Sequence, residues 1–80
     1  MSLKNKKRKI DWYIVNRVRE IRLELGLSQE DLASHLDFDK TYITHIENPT
    51  TIAKYNNDHL YKLSRLFKCS MRDFFPEGDL

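Results

Sequence analysis

Six polar side chains cluster in the middle of this chain: Gln29, then Lys40, Thr41, Thr44, His45 and Asn48. They are of types that hydrogen-bond nucleic acid. Threonine donates or accepts and offers its methyl to thymine, lysine prefers guanine, and an amide at the start of a helix adds a donor where an anion is already favoured. Successive helical residues sit about 100° apart. On a short helix after Asp39 with Asn48 at its end, that spacing puts Ile43 and Ile46 on one side and Thr41, Thr44, His45 and Asn48 on the other, with Lys40 at the flank. A helix that buries two isoleucines and shows water a stripe of hydrogen-bonding groups has the layout to enter the major groove of double-stranded DNA. Lys40, Thr41, Thr44 and His45 are the candidate base readers and Asn48 a candidate phosphate contact. Tyr42 lies between the two sides, placed either to stack on the DNA backbone or to complete the core.

Other chemistries find little footing. His35, His45, His59 and Cys69 are scattered, with no CxxC or HxxxH spacing, so no zinc site is expected. No Gly-rich phosphate loop and no nucleophile in a recognisable setting occur, so neither an enzyme nor a cofactor is expected. Cys69 reads as a small core residue.

Two short helices joined by a sharp corner must carry the polar stripe. Ser28 is a good N-cap for the first and Asp31 is its capping-box acid, with Leu27 and Leu32 as a hydrophobic staple. Asp39, Phe38 and Ile43 repeat the pattern for the second. Asp37 is suited to a left-handed corner. Ala33 is the small residue that lets two steeply crossed helices approach. Upstream, a helix from Asp11 to about Leu25 has Ile14, Val18, Ile21 and Leu25 as its buried stripe, Val15 beside it, and Gly26 as its stop. Trp12 and Tyr13 at the helix start are expected to cap one end of the core, the alternative being an exposed contact of Trp12 with a partner subunit. Downstream, Pro49 ends the polar helix, and Ile52 and Tyr55 pin the following loop to the core. Asn57 caps a fourth helix from Asp58 to about Lys68, burying Leu60, Leu63, Leu66 and Phe67, with Tyr61 beside them. Ser70 and Asp73 cap a last helix, Met71 to Phe75, with Cys69 and Phe74 as its staple. The fold expected is all-α with five helices.

Of the 80 residues, 14 are Lys or Arg and 12 are Asp or Glu. Five of the basic ones, Lys4, Lys6, Lys7, Arg8 and Lys9, fall within six positions, which leaves nine bases against twelve acids, or about −3, elsewhere. Residues 1–9 therefore read as a disordered basic arm for DNA phosphates, with Lys6, Lys7, Arg8 and Lys9 among the contacts, and residues 10–80 as one domain. A single cysteine permits no internal disulfide, and no apolar run reaches membrane length, which fits a cytoplasmic protein that engages no membrane.

Gly26-Leu27-Ser28-Gln29-Glu30-Asp31-Leu32-Ala33, then Phe38 to Glu47, then Leu60 to Phe75, resemble the Cro and phage-repressor (XRE) class of helix-turn-helix regulators over roughly residues 14 to 75. Three features depart from that class: Asp37 replaces the usual turn glycine, Asn48-Pro49 replaces a basic-Gly pair, and the next loop is about two residues longer. The resemblance implies a compact lambda-repressor-like fold, a phosphate contact and a brace at Gln29, and a partly buried ion pair between Arg22 and Glu47. It implies a transcriptional regulator, expected to be a repressor binding a palindromic operator as a homodimer. Phe75, Leu80, Tyr55 and Trp12 are the apolar residues left over for the dimer surface. The alternatives are the antitoxin of a toxin–antitoxin pair, with a toxin protein as partner, a restriction–modification controller, and a protein-interaction module that has lost DNA binding.

Overall fold

The computed structural model describes residues 7–80. Four α-helices follow one another, α1 (Lys9–Glu24), α2 (Gln29–Leu36), α3 (Lys40–Glu47) and α4 (Asn57–Phe67), and a 3-10 helix (Met71–Phe74) closes the chain. Among the described residues there is no strand. The last element is 3-10 rather than α because only four residues separate its cap from the Phe75 turn. Ser70 Oγ accepts from the Arg72 N–H and Asp73 Oδ2 from the Ser70 N–H.

The core is a single cluster, with Val15, Val18, Leu32, Ile43, Ile46, Leu60, Leu63 and Phe74 fully enclosed. On α1 the buried line is Val15, Val18, Ile21 and Arg22, rotated from the expected stripe. Ile14 is only half-buried and Leu25 is exposed. The helix stops at Glu24, so Leu25 turns away as the C-cap instead of extending the stripe. The stop is a Schellman motif: Gly26 takes φ +71°, the Gly26 N–H donates to the Leu23 carbonyl and the Leu27 N–H to the Arg22 carbonyl.

The same bond pattern ends α2 and α4 without glycine. Asp37 (φ 60°) and Lys68 (φ 59°) sit in the left-handed region, and the Phe38 and Cys69 N–H groups reach back to the Ala33 and Ser64 carbonyls. At Asp37 this makes the sharp corner between α2 and α3. Ala33 is buried on α2, where α2 packs on α3. The start of α2 carries the reciprocal capping box, Asp31 N–H to Ser28 Oγ at 3.0 Å and Ser28 N–H to Asp31 Oδ2 at 2.8 Å.

Four local expectations are corrected. Asp39 occupies the N-cap of α3 but its carboxylate makes no capping bond. The cap of α4 is Asn56, not Asn57, because His59 Nδ1 accepts from the Asn56 N–H (3.1 Å) while Asn56 Oδ1 accepts from the His59 N–H (2.8 Å). Of the two loop anchors only Tyr55 is buried, at 6% exposure, whereas Ile52 is 69% exposed. The helical part of the chain begins at Lys9, two residues before Asp11, since Arg8 serves as N-cap, its carbonyl accepting from the Trp12 N–H and its side chain pairing with Asp11.

Candidate nucleic-acid interface

α3 carries both core residues and the polar stripe. Ile43 and Ile46 are enclosed, while Lys40, Thr41, Thr44 and His45 are exposed on the other side. Tyr42 keeps 40% of its surface and meets Phe38 edge-on at 4.7 Å between ring centroids; Phe38 in turn meets His59 at 4.6 Å. Part of Tyr42 thus packs on the α2–α3 corner and part stays exposed.

Behind the stripe runs a continuous hydrogen-bonded chain. Arg22 Nε donates to Glu47 Oε2 and Arg22 Nη2 to Glu47 Oε1, each at 2.9 Å, a fork-to-fork pair whose side chains are 8% and 5% exposed. The remaining guanidinium edge donates from Nη1 to the Leu27 carbonyl at 2.9 Å. Glu47 Oε1 also accepts from Gln29 Nε2 at 2.9 Å, and Gln29 Oε1 accepts from Thr44 Oγ1 at 2.9 Å. So α1, α2 and α3 are tied through side chains alone. Two buried charges are tolerated here because their polar atoms are so fully engaged.

Gln29, expected at a phosphate, is first of all the middle of this chain. Its amide nitrogen carries two hydrogens, of which one is engaged among the described residues. Asn48 is similar. Its Oδ1 is taken by the N–H and hydroxyl of Thr50, at 2.9 and 2.8 Å, and its Nδ2 is not engaged among the described residues.

The C-terminal end of α3 is held from a distance. Thr51 Oγ1 donates to the His45 carbonyl at 2.6 Å. Lys7 reaches across to give its ammonium to the Asn48 carbonyl (2.6 Å) and the Thr51 carbonyl (2.9 Å), with Thr51 Oγ1 at 3.0 Å and the Trp12 ring centroid 6.0 Å away. Partial burial pushes the Lys7 ammonium below the usual lysine range, a tendency opposed by Asp11. Lys7 therefore sits among protein oxygens, Arg8 pairs with Asp11, and Lys9 is exposed at the start of α1. Lys6 lies outside the described residues. No sequence signal pointed to Lys7 as a partner of α3, since the contacts span 41 and 44 residues.

Under the stripe, Tyr55 buries its hydroxyl without a hydrogen-bond partner among the described residues. Burial raises its phenol well above the ordinary value, with the nearby Glu47 carboxylate adding to the rise. Of the apolar residues left over for a dimer surface, Tyr55 is thus in the core and Trp12 packs against it, while Phe75 and Leu80 stay exposed, joined by Tyr13, Ile52 and Tyr61. Among the described residues no cluster of His, Cys, Asp or Glu has the makings of a metal site, and no helix is long and apolar enough to cross a membrane.

Comparison with known proteins places this geometry. A family described as a helix-turn-helix domain matches residues 15–75. Among solved structures, the restriction-modification controller protein C.AhdI from Aeromonas hydrophila is 28% identical, with a TM-score of 0.65, covering 79% of this chain and 92% of that one. The wild-type restriction-modification controller protein C.Esp1396I is also 28% identical, with a TM-score of 0.69 over 85% of this chain and 86% of that one. No curated protein matches significantly.

Proposed function

The chain belongs to the helix-turn-helix domain family and is a DNA-binding transcriptional regulator; from that premise we propose that it acts as a dimer on an operator of two inverted half-sites, repressing by occlusion of a promoter. The observation that carries this reading is α3, whose outer stripe is held from behind by the Arg22–Glu47–Gln29–Thr44 chain. Lys40, Thr41, Thr44 and His45 read bases. Gln29 and Asn48, through their free amide hydrogens, and Tyr42, Arg8 and Lys9 meet the backbone. One such helix covers only a few base pairs, and each mismatch is worth about 1–3 kcal/mol. Two copies on a palindrome double the discrimination, with the reading helices about 34 Å apart. Exposed Phe75, Leu80, Tyr13, Ile52 and Tyr61 supply apolar surface for the second copy.

A second reading narrows the role rather than changing the chemistry. The C.AhdI and C.Esp1396I structures are of restriction-modification controller proteins, which favours a controller over an antitoxin for this chain. A toxin as partner has no comparable support, and a module that has given up DNA binding is disfavoured by the preserved stripe.

Selection from a random duplex pool tests the proposal. Enrichment of an inverted repeat with half-site centres about 10 base pairs apart is expected. Weak, salt-sensitive binding without enrichment would overturn it. Removing residues 1–6 deletes Lys4 and Lys6, and is expected to lower the salt slope of binding by up to about 2 units with sequence preference retained.

A further inference from the structure

The side-chain chain behind α3 has a direction, and charge sets it. Glu47, paired with Arg22 as a carboxylate, only accepts hydrogen bonds. Gln29 must therefore turn its amide nitrogen to Glu47, which leaves its carbonyl oxygen facing Thr44. That oxygen also only accepts, so the Thr44 hydroxyl has to donate. The other group within reach of Thr44 Oγ1 is the Lys40 carbonyl at 3.2 Å, an acceptor too. A hydroxyl has one proton, and both protein partners of this one claim it.

Threonine is ordinarily the ambiguous reader of base edges, able to donate to guanine or thymine and to accept from adenine or cytosine. At this position the ambiguity is gone. The exposed Thr44 side chain offers the groove oxygen lone pairs and a methyl group. To donate to a base it would have to leave Gln29 Oε1 and Lys40 O together, stranding an amide oxygen whose nitrogen stays bound to the buried ion pair. We propose that Thr44 is a specificity-determining residue that reads hydrogen-bond donors, the exocyclic amino group of adenine or cytosine, and disfavours a base edge presenting an acceptor at the same place. This rests on the reading of α3 as the major-groove helix.

The test uses the full chain and the operator obtained by selection. Thr44→Val keeps the β-branched shape and removes the hydroxyl, and comparison with the wild type finds the base pair at which preference is lost. The exocyclic amino group is then deleted there, with nebularine for adenine or pyrimidin-2-one for cytosine, and affinities are measured for wild type, Thr44→Val and Thr44→Ser. Amino deletion is expected to weaken the wild type and Thr44→Ser by about tenfold and Thr44→Val hardly at all. The proposal is overturned if the Thr44→Val effect couples instead to loss of a base acceptor, as on 7-deazapurine substitution, or to no base. Failure to select any operator would remove the DNA-reading role itself, whereas an operator whose Thr44-linked base is an acceptor removes only the donor-reading rule. Melting temperatures of both variants within a few degrees of wild type show that folding is intact.

Discussion

The two ends of α3 are held very differently. At the C-terminal end Arg22, Gln29, Lys7 and Thr51 converge on Glu47, Asn48 and the last carbonyls, from positions up to 41 residues away in sequence. At the N-terminal end Asp39 fills the cap position and makes no cap bond. The braced end fixes where the helix points. At the other end no side chain caps the first N–H groups, and only the Tyr42 N–H is taken up, by the Asp39 carbonyl at 3.0 Å, which suits an element that has to approach phosphates. The starts of α2 and α4 are capped in full: Ser28 with Asp31 and Asn56 with His59 each close a reciprocal pair. The start of α3 thus differs from those of α2 and α4, the helices on either side of it, and shares its lack of a side-chain cap with α1.

The largest expected effect comes from breaking the braced end. Glu47→Ala strands a buried guanidinium and frees Gln29, and should destabilise the fold by about 3 kcal/mol or more, read as a fall in denaturant midpoint. A midpoint within error of wild type would mean the end is not held by this pair. Next comes Lys7→Ala, expected to cost about 1 kcal/mol through loss of a charge at a helix C-terminus, with the salt slope of DNA binding unchanged. A slope lowered by about 1 would instead assign Lys7 to a phosphate.

A smaller effect contrasts α4 with α3. Burial holds the His59 imidazole below the ordinary histidine range, against a rise from Asp58, and its neutral Nδ1 is the acceptor in the cap. A lowered folded pKa means the unfolded chain binds the proton more readily. The stabilisation is therefore complete above the unfolded histidine value of about 6.5 and is lost as pH falls through the lower folded value. Thermal melts at descending pH should show this loss in the wild type and less of it in His59→Gln, since glutamine can serve at this capping position at any pH. The smallest effect is the control. Asp39→Ala should change stability by no more than about 0.5 kcal/mol, whereas Ser28→Ala costs about 1 kcal/mol. Equal losses at the two caps would erase the contrast.

Much of this was legible in the sequence because it is local. The Ser28–Asp31 box, the left-handed Asp37, the Gly26 stop and the inward pair Ile43 and Ile46 each follow from a window of a few residues. Phase and boundaries were less so. The α1 stripe turns on whether Arg22 counts as buried, and only its pairing with Glu47 25 residues away makes it so. Asn56 and Asn57 are equal as caps until the imidazole of His59 reaches back to one of them. Ile52 and Tyr55 are equally apolar loop anchors by composition, and the path of the loop chose the aromatic one. At the site, residue types named the stripe, but the Gln29–Thr44 contact and the reach of Lys7 are tertiary facts with no periodic signature.

The continuous chain from Arg22 to Thr44 also bears on how regulators of this kind diversify. Thr41 and His45 make no side-chain hydrogen bond among the described residues, so mutation can exchange them with little cost to the fold. Thr44 and Gln29 are shared between the reading face and the buried pair, and a change in either is felt by both. New operator preferences should therefore arise first at positions 41 and 45. Descendants of one such gene would keep a common letter in their operators, opposite Thr44, long after the neighbouring letters had diverged.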